Sequence, residues 1–130
     1  MKNLLLLPFF LIGGFLFSQD ELLVSIVVPL RETVQIGDGE ITFIDVKQDS
    51  RCPENVTCVW AGEVQLALRL KFPKKASKEE LLAVAPGKSA LLWRDDKAIY
   101  KILRVSPYPK TSAKIPKEDY EIVLQVFPKD

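Results

Sequence analysis

Cys52 and Cys58, with five residues between them, are the side chains of this chain best placed to bond to one another, and the carboxylates Asp45, Asp49, Glu54 and Glu63 surround them in sequence. Both cysteines lie in the run Asp49-Ser50-Arg51-Cys52-Pro53-Glu54-Asn55-Val56-Thr57-Cys58-Val59-Trp60-Ala61-Gly62. The spacing reads as a small loop closed by a structural disulfide. A redox-active pair is normally Cys-x-x-Cys at a helix N-terminus, where the thiol pKa is lowered. Zinc is disfavoured as well, because two cysteines without any histidine leave a tetrahedral site short of soft ligands. The lack of histidine also removes Ser-His-Asp and Cys-His catalysis and the commonest general base. A carboxylate pair can still hydrolyse a glycoside, one group as acid and the other as base or nucleophile. On so charged a chain, solvated or loop-capping carboxylates are the plainer reading, and no Gly-x-Ser-x-Gly run supports a serine nucleophile. A non-enzyme without cofactor or metal is expected.

Recognition is the other chemistry open to this run. Asp49, Arg51, Glu54 and Asn55 form the candidate binding surface, a polar patch displayed by a rigid loop. Each also has a structural reading. Asp49 can accept backbone N–H bonds as an Asx-type turn. Arg51 can pair with Asp49 or Glu54, or lie against Trp60. Counting back by twos from Val64 through Gly62 puts Trp60 on a buried strand face. Trp93 and Tyr108 are candidates for an aromatic platform, or for lids on the core. The oxygen-rich turns Gly37-Asp38-Gly39-Glu40 and Arg94-Asp95-Asp96-Lys97 lack the calcium-loop pattern. Asn55-Val56-Thr57 has the form of a glycosylation acceptor.

The loop needs an oxidising compartment, and the first residues supply an address. Met1-Lys2-Asn3 is positive, residues 4–17 are almost wholly apolar, and Ser18 precedes Gln19-Asp20-Glu21. Residues 1–18 therefore read as a secretory signal peptide, too short for a comfortable span of about 20 residues. No cysteine stands near the cleavage site for lipid attachment, so the expected location is secreted or periplasmic, with no stable membrane span. Lys2 is the only charged residue of that leader, so the 18 basic residues of the chain become 17, against 17 acidic. The cations are scattered, which gives no footprint for nucleic acid.

Residues 19–130 then read as one all-β domain. Residues 22–29 are rich in Val, Ile and Leu and stop at a proline, and residues 32–47 form a hairpin around Gly37-Asp38-Gly39. Past the cysteines, Val64, Leu66, Leu68, Leu70 and Phe72 alternate with Glu63, Gln65, Arg69 and Lys71, a strand half-buried against a core. Residues 79–85 fit a helical turn or a strand equally. Strands follow at 89–93 and 98–105, and Tyr120, Ile122, Leu124 and Val126 mark the last. Short strands with turn punctuation predict a single-domain β-sandwich, Greek-key or immunoglobulin-like, with a partly open β-barrel as the alternative.

The run Asp49-Ser50-Arg51-Cys52-Pro53, then Val56, Cys58 and Trp60-Ala61-Gly62, resembles the signature of a set of small secreted bacterial proteins with no assigned activity. Val105-Ser106-Pro107-Tyr108-Pro109 and Asp119-Tyr120 are similar to that set too. The resemblance implies an exported β-domain and carries no activity with it. The leading expectation is a non-catalytic binding or structural module, monomeric, whose partner is a protein or glycan of the cell envelope or exterior. The alternatives are an inhibitor of secreted hydrolases, for which a preorganised loop is suited, and a small carboxylate-based hydrolase.

Overall fold

A computed structural model describes Gly14 and residues 24–129 of the chain. The expected leader therefore lies, Gly14 apart, outside the described residues, as do the first residues expected of the opening strand. Eight strands run in order: β1 (Val24–Pro29), β2 (Thr33–Ile36), β3 (Gly39–Asp49), β4 (Val64–Lys71), β5 (Lys78–Val84), β6 (Ala90–Arg94), β7 (Ala98–Ser106) and β8 (Glu121–Pro128). They form two antiparallel four-stranded sheets, β1-β8-β7-β6 and β2-β3-β4-β5, which make a β-sandwich. Among the described residues no helix is long and apolar enough to cross a membrane.

The period-two runs fix which faces meet. In β4, Val64, Leu66, Leu68 and Leu70 point inward, opposite Asp49, Val46, Phe43 and Ile41 of β3. Ile102 of β7 and Ile122 and Leu124 of β8 close over them with no exposure, and Val28 joins from β1. Each such side chain contributes about 1.5–3 kcal/mol by leaving water. Val126, expected in the core, is only partly buried and packs at its margin. The segment 79–85 resolves as strand up to Val84 because β4 offers a full edge, pairing Val64 with Val84 and Leu66 with Leu82. The same register turns Lys78 and Glu80 toward the sheet's inner rim, where they pair with each other.

The second sheet is a plain meander, while in the first β6, β7 and β8 meander and β1, joined to them by a long connection through the other sheet, lies beside β8. Strand neighbours are chain neighbours everywhere except at β1–β8. Read from the C-terminus, the first sheet has the Greek-key order, three consecutive strands and a fourth that returns by a long connection to lie beside the first. The chain changes sheets at an edge. Leu30 N–H still bonds Tyr120 of the first sheet, and Arg31 N–H already bonds Phe43 of the second. At the far end of β4, Phe72 stacks on Trp93 with ring centroids 4.2 Å apart. Trp93 is thus a lid on the core, remote from Tyr108 at the other end.

Candidate functional site

β3 ends at Asp49, and two residues later Arg51 turns back into the gap between the sheets. Its guanidinium is buried, although it carries a full charge. Nε reaches Asp49 Oδ1 at 2.9 Å and Nη2 reaches Asp49 Oδ2 at 2.7 Å. Nη1 donates to the Val105 carbonyl at 2.7 Å, and Nη2 also donates to that of Pro107 at 3.0 Å. Those two carbonyls belong to an open edge. Leu30 N–H bonds Tyr120 O, so Glu121 and Val123 of β8 face β7 and pair there with Ser106 and Arg104. Val105 must then face away from β8, toward β6, which already stops at Ala90 opposite Ile102. Arg51 completes the edge that β6 is too short to cover, and ties the two layers together.

Tyr120 finishes the clasp by donating its hydroxyl to Asp49 Oδ2 at 2.8 Å. Burial opposes the charged form of Asp49, but hydrogen bonds from Arg51 and Tyr120 and the guanidinium charge outweigh it and hold the carboxyl below its ordinary value. Burial first, then the bond to Asp49 and its charge, pushes the Tyr120 phenol up to about 12. Tyr108 places its ring 5.3 Å from the Arg51 guanidinium and donates its hydroxyl to the Cys52 carbonyl at 2.6 Å.

The loop hangs from this clasp. Cys52 and Cys58 are joined, with Cα atoms 5.9 Å apart. Cys52 N–H bonds the Ala61 carbonyl at 3.0 Å, and Ser50 N–H bonds that of Glu63 at 2.8 Å. Glu54 and Asn55 donate their N–H groups to the Pro109 and Lys110 carbonyls of the β7–β8 connection. Gly62 allows the close crossing: it sits at φ +73°, and a Cβ there would stand 1.9 Å from the Ser50 carbonyl oxygen. That left-handed residue also breaks the period-two count, since β4 begins only at Val64. Trp60 consequently points outward, 81% exposed, beside Val59 at 91% and Val56 at 46%. The expectation that Trp60 packs in the core is corrected.

The candidate residues separate accordingly. Glu54 and Asn55 lie on the surface, Asp49 is half-buried, and Arg51 is buried in its pairing with Asp49. Sequence reading missed Val56, Val59 and Trp60 as the exposed tip, and Tyr108 and Tyr120 as braces. The Val105-to-Pro109 run that seats the guanidinium was visible only as a motif. Of the other carboxylates, Asp45 bonds Lys117 at 2.7 Å, and Glu63 accepts from Gln65 at 3.4 Å. A cleft of about 570 Å³ beside Tyr108 has no carboxylate in its walls, and one of about 390 Å³ on the other flank has Asp49 alone. Among the described residues no three metal-ligating side chains are gathered together.

Fold and site together define a two-layer β-sandwich that carries a disulfide-stapled loop with an apolar tip. Comparison with protein families, with curated proteins and with solved structures finds no match.

Proposed function

We propose that this protein is a non-catalytic, extracytoplasmic binding module that takes a protein partner on its stapled loop. The observation that carries this reading is the exposure of Val59 and Trp60 on a loop braced on both sides. A tryptophan held in water forgoes a large burial gain, and such residues dominate the energetics of protein interfaces. The tip offers apolar surface rather than a ring of polar donors, which suits a protein better than a glycan. The carboxylates flanking the loop are engaged in ion pairs or stand apart from the clefts, so a hydrolytic pair finds no support. The disulfide and the leader pattern of residues 1–18 both favour an oxidising compartment.

The test is capture from cell-envelope extract on immobilised protein, compared with Trp60→Ala and with Glu54→Ala. A single protein identified by mass spectrometry that binds the parent and Glu54→Ala, and is lost with Trp60→Ala at an unchanged melting temperature, supports the reading. Equal capture by all three moves the binding surface away from the loop.

A further inference from the structure

We infer that the Val59–Trp60 apex enters the specificity pocket of a secreted endopeptidase that prefers a large aromatic side chain, so that the loop acts as a substrate-like inhibitor; this rests on the binding reading above. Three observations lead there. First, the apex is two residues long and sits between two fixed points, Cys58 and Ala61, both attached to Cys52: one by the disulfide, the other by the Cys52 N–H bond to the Ala61 carbonyl. A convex point of that kind fits a concave partner, and a lone indole at its summit needs one deep apolar pocket.

Second, the backbone N–H and C=O groups of Thr57, Cys58, Val59 and Trp60 make no hydrogen bond with any described residue, while the Val56 N–H before them and the Ala61 carbonyl after them are engaged. Endopeptidases hold a substrate by backbone bonds to a short segment and insert one side chain into the pocket that sets specificity. The loop offers both elements in the same four residues. Its rigidity lowers the ordering cost of docking.

Third, the linkage through Cys52 explains why docking would inhibit rather than consume. Were the Trp60–Ala61 bond cut, the new ends would remain held on Cys52, through sulfur on one side and through N–H on the other. Gly62 is meanwhile wedged against Ser50. The product amine stays beside the carbonyl it left, and proximity favours re-formation of the bond over release. Trp60 has no charged neighbour in sequence nearer than Glu63, which matches an apolar pocket and not one that carries an acid.

The experiment measures inhibition of chymotrypsin, subtilisin and trypsin on short chromogenic peptides. Competitive inhibition of at least one of the two endopeptidases that accept aromatic residues is expected, with little effect on trypsin. Trp60→Ala should weaken it by about 100-fold, Trp60→Phe should stay within about tenfold, and Trp60→Arg should transfer inhibition to trypsin. All variants are checked for unchanged melting temperature and an intact disulfide. Failure to inhibit either aromatic-preferring enzyme, equal inhibition by Trp60→Ala, or rapid cleavage after Trp60 without inhibition would overturn the proposal. Trp60-dependent capture of a protein that is no endopeptidase would overturn it too, while leaving the binding reading standing.

Discussion

Arg51 grips Asp49 with two parallel bonds, Nε to Oδ1 and Nη2 to Oδ2, and donates two more bonds to backbone carbonyls 54 and 56 residues further along the chain. The pair therefore joins the end of β3 to the end of β7, and the loop between β3 and β4 starts from a point fixed to both sheets.

Removing one member should be costly, because the other is left buried and uncompensated. Arg51→Ala is expected to lose about 3–5 kcal/mol of stability. Arg51→Lys should recover little, since an ammonium cannot span both carboxylate oxygens and the β7 edge. Urea midpoints measure this; a midpoint unchanged in Arg51→Ala would mean the clasp is not holding the layers.

The clasp also sets a pH window. Asp49 has a lowered folded pKa, so its contribution is complete above the ordinary 3.8 and is lost as pH falls through the lower folded value. Tyr120 has a raised one, so its contribution is complete below 10 and is lost as pH rises from there through about 12. Denaturant midpoints across pH should show an acid decline that flattens in Asp49→Asn and an alkaline decline that flattens in Tyr120→Phe. Parallel curves for parent and variants would contradict both assignments.

Gly62→Ala should be more damaging than its size suggests. The left-handed conformation alone costs a non-glycine residue about 1–3 kcal/mol, and the added carbon meets the Ser50 carbonyl. Lowered thermal stability with a disturbed Trp60 fluorescence spectrum is the expected result.

In the core, Leu68 is fully buried against Phe43 across the β3–β4 pair. Leu68→Ala is expected to lose about 2–5 kcal/mol, read as a shifted urea midpoint at constant slope.

The purified protein should show no free thiol under non-reducing conditions. Replacing Cys52 and Cys58 together by serine should lower stability by about 2–3 kcal/mol in the chain-entropy picture. Because hydrogen bonds from Cys52 and Glu54 remain, the domain should stay folded while the anisotropy of Trp60 fluorescence falls.

How far the sequence revealed all this depends on the distance over which each feature is decided. β4 and β8 were legible because alternation is local and each has one face on the core. β5 was ambiguous because its inward positions include Lys78 and Glu80, tolerated only where an edge strand meets the rim. The pairing of β1 with β8 could not be read locally, since the same strands can be arranged with other edges meeting. Arg51 stood open between a pairing with Asp49 and a place in the binding surface; the carbonyls that allow its burial lie in another sheet. Trp60 was misplaced by a phase count that one left-handed glycine interrupts. The stapled loop itself was plain from its cysteines.

The pairing of β1 with β8 has a consequence in time. Of all the ladders it alone joins strands from opposite ends of the described chain, Val24 with Val126 through Pro29 with Glu121. During synthesis the other strands meet their neighbours within a short stretch of new chain, whereas β1 emerges first and waits for the last strand to arrive. Until then Val24-Ser25-Ile26-Val27-Val28, an uncharged strand with apolar side chains on both faces, has no partner, and Pro29 and the charges of Arg31 and Glu32 beyond its end guard it. Closure of that final seam gives β1 its one neighbour in the sheet and takes Val28 out of water.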